Sequence, residues 1–475
     1  MKNYETVIGL EVHVELATKT KIFCGCSTSF GGDPNTHTCP VCTGMPGSLP
    51  VLNKKVVDHA IAVGLAANCE INRSCRFDRK NYFYPDNPQD YQISQLYEPI
   101  CQNGHVDIDV DGKRKSIRIH EIQLEEDAGK LIHDEAENMS LVDYNRAGVP
   151  LIEIVSEPDM RSAEEVIAYL QKLRTIIRYL GASDCKLQEG SMRADVNLSV
   201  REAGTEKLGT RTEMKNLNSF KAIARAISNE RQRQIDIIEA GGRVIQETRR
   251  WDDTKEESFS MRSKEDAQDY RYFPDPDLPG IFISREWIDE IKASEPEFKD
   301  EKKRRYVSQY GIPEEDADII TDSKHMADIF EETARLCGQP KKAANWLMVD
   351  TIRILKELSK DPEDITFAPE NLAKLIKLTE AGTINSSVAK EVFEKVFADN
   401  IDPEKYVKEN GLAQENDESA LREAVQKVID DNPKSVADYR GGKEKAIGFL
   451  VGQTMKAMQG KANPGIVTGL LKELL

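Results

Sequence analysis

Residues 6–16 read TVIGLEVHVEL, a stretch that alternates almost perfectly between two kinds of side chain. Ile8, Leu10, Val12, Val14 and Leu16 fall on one face of a strand, and Gly9, Glu11, His13 and Glu15 fall on the other. The first face is a core face. The second sets two carboxylates and an imidazole in one row, with Glu11 and His13 about 7 Å apart along the strand. Such a row supplies the hard oxygens and the nitrogen that a divalent cation takes, and a solvated sheet face is the alternative reading.

Working outward, the same design recurs. In MRADVNLSVR (192–201), Met192, Ala194, Val196, Leu198 and Val200 oppose Arg193, Asp195, Asn197, Ser199 and Arg201. In 210–215, Arg211, Glu213 and Lys215 alternate with Thr210, Thr212 and Met214. In IHEIQLEED (119–127), Glu121, Gln123, Glu125 and Asp127 share a side, while Glu126 falls with Ile122 and Leu124. Glu153 sits inside the aliphatic run LIEIV (151–155), where a carboxylate needs a partner or a metal. Each segment alone is compatible with an ordinary sheet that has one wet face. Together their acids, histidine and arginines suit a site where Mg²⁺ bridges phosphates and arginine balances the charge in transfer.

The chain has 475 residues, enough for two or three domains, and a formal net charge of −17. Such acidity disfavours general nucleic-acid binding, so any RNA contact must come from a local basic patch or a partner. No apolar run reaches the roughly 20 residues of a membrane helix, and the N-terminus enters a strand pattern without a signal peptide. Strand-like alternation dominates to about residue 290, and charged helical spacing follows from about 294. The expected class is α+β, with a mixed or antiparallel sheet in a first domain (1–293), a helical domain (294–407) and a small helical tail (408–475). Neither GxxxxGK[ST] nor GxGxxG after a strand occurs, so ATP, if used, is held through metal and arginine in an open cradle.

Nine cysteines fit a reducing cytoplasm better than a disulfide framework. Four of them form two close pairs, Cys24/Cys26 and Cys39/Cys42, in a Gly- and Pro-rich insert (24–42). That arrangement suits one structural Cys₄ zinc site, with His37 as a substitute ligand and four unrelated thiols as the alternative. In the tail, Arg440, Lys443, Lys445, Lys456, Lys461 and Lys472 outnumber Glu444 and Glu473. This local charge reversal reads as RNA-backbone contact or as a solvated helix face.

With these stretches in view, the chain resembles the B subunit of the bacterial and archaeal aspartyl/glutamyl-tRNA amidotransferases, in their zinc-bearing branch. VIGLEVHVEL (7–16), FDRKNYFYPDNPQDYQIS (77–94), DYNRAGVPLIEIVSEPD (143–159), EGSMRADVNLSVR (189–201), TEMKNLNSF (212–220), DYRYFPDPDLP (269–279) and GKEKAIGFLVGQTMKAMQGKANP (442–464) carry the resemblance from end to end. It implies a catalytic cradle similar to glutamine synthetase. It implies ATP-dependent phosphorylation of the side-chain carboxylate of Glu-tRNA(Gln) or Asp-tRNA(Asn), then amidation. The ammonia comes from glutamine by way of a partner amidase subunit, and a small third subunit clasps the two in a cytoplasmic heterotrimer. No amidase nucleophile segment stands out in this chain, which agrees with that division of labour.

By the same resemblance, Glu11, His13, Glu125, Glu126, Glu153, Asp195 and Glu213 are the candidate Mg²⁺ ligands. Glu153, Arg193, Arg201 and Lys215 are the candidate catalytic groups, the last three through phosphate contact or else as salt bridges. Lys80, Tyr82 and Tyr84 are candidates for the tRNA acceptor end, and Lys443, Lys445, Lys456 and Lys461 of the tail for the tRNA body. Glu15 receives no role and reads as structural. Two other functions fit part of the pattern: a ligase of the glutamine-synthetase kind acting on a small acid, and a non-catalytic RNA-binding scaffold.

Overall fold

The computed structural model describes residues 3–134, 137–263, 269–414, 418–458 and 462–475. The chain divides into two units, one ending at Phe298 and the other spanning Lys299–Leu475.

The first unit contains the strands β1 (Tyr4–Glu15), β2 (Glu70–Ile71), β3 (Ser74–Cys75), β4 (Asp78–Asn81), β5 (Tyr91–Ser94), β6 (Cys101–Val110), β7 (Lys113–Glu126), β8 (Lys130–Asp134), β9 (Met139–Asp143), β10 (Pro150–Ser156), β11 (Met192–Glu202), β12 (Thr212–Lys215), β13 (Glu247–Asp252), β14 (Glu257–Ser263), β15 (Phe273–Pro274) and β16 (Ile281–Phe282). Its helices are α1 (Lys54–Ala66), α2 (Ala163–Tyr179), α3 (Phe220–Glu239) and α4 (Arg285–Ala293). The main sheet runs β14-β13-β12-β11-β1-β10-β7-β6-β2. It is mixed: β12 and β13 are parallel, while β1 pairs antiparallel with both β10 and β11.

The alternation of residues 6–16 fixes which way this sheet faces. Ile8, Leu10, Val12 and Val14 are at most 1% exposed and share a core with Val57 and Ile61 of α1, Leu170 and Leu173 of α2, and Ile223 and Ile227 of α3. The helices thus cover the apolar face, and a strand with period-two patterning delivers its odd-numbered residues to the opposite face. The same division holds along β11, where Met192, Ala194, Val196, Leu198 and Val200 are all buried.

Register then assembles rows across strands. His13 lies between Glu153 of β10 and Arg193 of β11, and Glu11 lies opposite Asp195. Asn197 lies opposite Glu213, and Glu153 opposite Gln123, two residues from Glu125. The segment KNLNSF turns the chain out of this sheet. Asn216 adopts φ +67° and donates from Nδ2 to the Trp251 carbonyl at 2.9 Å, and Ser219 caps α3 by accepting from Ala222 N at 3.0 Å.

The second unit is helical: α5 (Lys299–Arg305), α6 (Glu314–Ile320), α7 (Lys324–Cys337), α8 (Pro340–Asn345), α9 (Ile352–Leu358), α10 (Pro369–Glu380), α11 (Ser386–Asp399), α12 (Pro403–Glu409), α13 (Glu418–Asp431), α14 (Pro433–Arg440), α15 (Ala446–Ala457) and α16 (Pro464–Leu474). It holds two cores. One gathers Tyr306, Phe330, Leu372 and Phe393 and extends to Val407, with Leu412 packed against it. The other joins Leu421, Val425, Leu450, Val467 and Leu471. The α+β class expected from the sequence is the class observed. Among the described residues, no helix is long and apolar enough to cross a membrane.

Candidate active site

The polar face of the sheet brings two three-residue groups together. In the first, single ligand atoms of His13, Glu125 and Glu153 lie within 4.8 Å of one another. His13 Nε2 is 3.6 Å from Glu153 Oε1. Ser94 Oγ and Gln92 Nε2, both on β5, donate to Glu125 at 3.0 and 3.3 Å. Burial, and then the charge of Glu125, push the Glu153 carboxyl well above the usual carboxylate range, while Lys80 acts in the opposite sense. Two carboxylates and an imidazole so placed are a set that fits a hard divalent cation.

In the second group, ligand atoms of Glu11, Asp195 and Glu213 lie within 4.8 Å of one another. Asn197 Nδ2 donates to Glu11 at 3.0 Å, Thr248 Oγ1 donates to Glu213 at 2.7 Å, and Lys215 Nζ lies 2.6 Å from Asp195 and 2.9 Å from Glu213. The charge of Glu11 also raises the pKa of Glu153, so the two groups act on each other across β1.

The remaining sequence candidates separate. Glu126 joins neither group, against expectation. Its side chain leaves β7 on the side opposite that of Glu125, and its Oε1 accepts from Ile93 N and Gln89 Nε2, both at 3.0 Å. Burial pushes its carboxyl up to about 8. Arg201 also lies apart. The register places it opposite Glu5 at the far end of β1, where the two pair at 2.6 Å, and Arg161 is 3.3 Å from the same Glu5. Arg193 pairs with Asp127 at 2.7 Å, and Arg146 lies 3.6 Å from it. Burial opposes the charge of Asp127, but these two guanidinium groups hold its carboxyl below the usual range. Glu15 shares this cluster. Burial and then the Asp127 charge raise its carboxyl to about 8.

At the rim, the Lys80 ammonium sits 4.9 Å from the Tyr270 ring centroid, and Tyr82 meets Tyr270 edge to face at 6.0 Å. Tyr84 is 49% exposed. The motifs FDRKNYFYPD and DYRYFPDPD adjoin because β15 pairs with β4 and Arg79 bridges Asp275 and Asp277, each at 2.8 Å. Tyr272 belongs here too. Burial and the charges of Glu125 and Glu153 raise its hydroxyl pKa. Tyr270, Tyr272, Asp127, Gln92 and Ser94 join the site without having been singled out from the sequence. The signal for Asp127 is its parity with Glu125, and for the tyrosines only the density of aromatic and acidic residues in 269–277.

Away from this face, Sγ atoms of Cys24, Cys26, Cys39 and Cys42 lie within 4.8 Å of one another, a group that could hold a metal ion. Cys42 Sγ is 4.0 Å from Cys26 and 3.9 Å from Cys39, and it accepts from Cys39 N at 3.2 Å. Lys21, fully buried, approaches the same sulfur at 3.5 Å. Interaction with Cys24, the Cys39 N–H and the Lys21 charge hold the Cys42 thiol well below its ordinary pKa, against the effect of burial. Thiolate character of this kind suits a tetrahedral, borderline-soft cation. His37 is not part of the group: its N–H donates to Asn145 Oδ1 at 2.8 Å and its ring lies against Gly32. A cavity of about 740 Å³ lies elsewhere, lined by His105, Lys115, Arg118 and Asp159. Two of its cations are already paired, Lys115 with Glu165 and Arg118 with Asp159, each at 2.7 Å.

Comparison with known proteins shows the family of the chain. Residues 6–289 match the family model of the GatB/GatE catalytic domain, and residues 328–475 match the GatB domain. The chain belongs to the GatB/GatE family. It is 71% identical to the B subunit of the aspartyl/glutamyl-tRNA(Asn/Gln) amidotransferase of Lachnospira eligens, with all of both chains covered. It is 70% identical to the protein of the same name in Agathobacter rectalis, again over all of both chains. With the one in Lachnoclostridium phytofermentans it shares 65% identity over 100% of this chain and 99% of the relative. Family membership therefore spans the catalytic sheet and the helical unit alike.

Proposed function

We propose that this chain is the member of a glutamine-dependent tRNA amidotransferase that activates the side-chain carboxylate of Glu-tRNA(Gln) or Asp-tRNA(Asn) with ATP. The observation that carries the reading is the pair of carboxylate groups sharing one sheet face on either side of β1, in a chain of this family. His13, Glu125 and Glu153 would hold one Mg²⁺, and Glu11, Asp195 and Glu213 a second. Bound there, magnesium would supply Lewis acidity and offset phosphate charge.

A carboxylate is a poor electrophile. Attack of its oxygen on the γ-phosphorus of ATP expels ADP and leaves an acyl phosphate. Ammonia nitrogen then attacks the acyl carbon, the nitrogen loses a proton, and inorganic phosphate departs with the former carboxylate oxygen. The Lys215 ammonium stands among the carboxylates of the second group, within reach of a phosphate placed there. Arg193 stands opposite His13 in the register, with its guanidinium paired to Asp127. Lys80, Tyr82 and Tyr84 line the rim where the tRNA 3′ end would enter, with ring faces that accept bases.

Ammonia would come from a partner amidase, with a small third protein completing a cytoplasmic complex. The relatives bear the name of one subunit among several, which supports such an assembly. The cysteine group would hold a structural zinc ion, since four thiolates leave no open position for substrate. Residues 408–475 would contact the tRNA body through Lys443, Lys445 and Lys456, all exposed. Lys461, expected to act with them, lies outside the described residues.

The test is ATP hydrolysis by the complex in the presence and absence of Glu-tRNA(Gln), with ammonium chloride as the nitrogen donor. Hydrolysis that requires the misacylated tRNA is the expected result. Hydrolysis driven equally well by free glutamate would favour a small-acid ligase, and none with either would favour a scaffold.

A further inference from the structure

The two carboxylate groups differ in what already stands inside them. In the His13 group, Glu125 is met by the neutral donors Ser94 and Gln92. The Lys80 ammonium that acts on Glu153 is turned onto the Tyr270 ring. The Glu11 group holds a cation. Lys215 Nζ lies 2.6 Å from Asp195 Oδ2 and 2.9 Å from Glu213 Oε1.

Neutral donors also reach that group, Asn197 on Glu11 and Thr248 on Glu213. They hold two of the three carboxylates without adding charge, so the set keeps part of its arrangement when the ammonium leaves. An ammonium and a divalent ion drawn to the same oxygens would stand only a few ångströms apart, with their like charges opposed. The lysine also has a longer stem than the acids, with more rotatable bonds to swing its charge on. Its side chain is 37% exposed, its stem is flexible, and the backbone beyond it is fixed by the Asn216 turn.

We propose that Lys215 is a resident counter-ion that keeps the second divalent cation out of the Glu11–Asp195–Glu213 group until nucleotide phosphates draw the ammonium away. The second ion and the nucleotide then enter together. Their affinities are linked, and by reciprocity each raises the other by the same factor. Lys215 is in this respect a positioning residue: it governs when an ion can occupy the group. The inference rests on the metal reading of these groups given above.

The experiment titrates the full-length chain, loaded with zinc, with Mn²⁺ alone and then with Mn²⁺ plus a non-hydrolysable ATP analogue. Free Mn²⁺ is followed by electron paramagnetic resonance against an analogue-only blank. The unsubstituted chain should take one tight ion without nucleotide and two with it. Lys215→Met and Lys215→Gln should take two ions without nucleotide, with the second bound about tenfold or more tighter than in the parent. Lys215→Arg, which keeps the cation, should behave as the parent. A gained site cannot arise from damage to the fold, so a structural role for Lys215 would not imitate this result. Two equally tight ions in the nucleotide-free parent, or a single ion in both removal variants, would overturn the proposal and leave the metal reading standing. No ion at the His13 group in any form would overturn the metal reading itself, and this proposal with it.

Discussion

The catalytic sheet and the helical unit handle charge in opposite ways. On the sheet, like charges are gathered: Glu11, Glu125, Glu153, Asp195 and Glu213 share one face, with Glu153 forced well above the usual carboxylate range. In the helical unit, opposite charges are matched. Lys302 and Arg305 converge on Glu331, Lys374 meets Asp402, and Arg353 meets Glu357 at 3.0 Å. Gathering like charges costs folding stability and is sustained only where something else gains from it. Matched surface pairs contribute modestly to stability and carry no chemistry. The sheet is thus the place to look for function, and the helices the place to look for support and for contacts made outside the chain.

The contrast is tested most severely at Glu153. Replacement by Gln keeps the shape, removes a charge that the neighbours already oppose, and removes a metal-ligating oxygen. Acyl-phosphate formation should fall by about 10³-fold or more, while the melting temperature holds or rises. A large loss of melting temperature with activity retained would make Glu153 a structural residue and erase the contrast. The apolar side of the same sheet should behave in the opposite way. Leu10→Ala deletes a side chain 1% exposed and should cost about 2–5 kcal/mol of stability, read by denaturant unfolding. Leu10 and Glu153, from opposite faces of one sheet, would then report one on fold and one on metal.

Period-two patterning explains why so much of the sheet was legible. A strand residue's parity decides its face, so Glu11, His13, Asp195 and Glu213 could be grouped before any coordinates. Parity also carried the warning about Glu126, which shares a side with Ile122 and Leu124 and faces Ile93 and Gln89 instead of a metal group. Parity does not supply register. Arg201 has the right face but stands opposite Glu5, six residues along β1 from Glu11, and nothing local to MRADVNLSVR says so. Nor does it supply contacts between distant loops. The packing of Tyr270 on Tyr82 and of Asp275 on Arg79 joins segments almost two hundred residues apart.

The helical unit ends in a segment rich in exposed lysines, of which Lys443 pairs with Asp438 at 2.9 Å, and it is the next place to press. Lys443, Lys445, Lys456 and Lys472 are exposed on the tail, in a chain whose net charge is −17. Leu412 packs against the preceding core and Gln414 N donates to the Thr383 carbonyl at 2.7 Å, so a cut after Gln414 keeps that core and severs the bond from Gln414 Nε2 to the Ala462 carbonyl. Removing the residues beyond it should weaken tRNA binding by about 10- to 100-fold and flatten its dependence on salt, measured by filter binding. Mn²⁺ binding to the sheet should be unchanged. Equal tRNA affinity with and without the tail would return its lysines to the class of solvated helix faces.

The smallest effect expected is at Glu331, where two cations and a hydroxyl converge on one carboxylate. Its carboxylate accepts from the Tyr306 hydroxyl at 2.6 Å and from Arg305 at 2.7 Å, and it pairs with Lys302. Burial opposes its charge, but Lys302, Tyr306 and Arg305 outweigh that and hold its pKa below the ordinary 4.5. A group lowered on folding contributes stability above its unfolded pKa and loses it as pH falls through the folded value. Glu331→Gln should therefore cost about 1–2 kcal/mol at neutral pH and almost nothing in acid below the folded pKa. Amide hydrogen exchange along α7, followed from pH 7 downward in the full chain, reads this locally and avoids assuming that two units unfold as one. A penalty that persists in acid would mean that packing, and not charge matching, holds this part of the helical unit together.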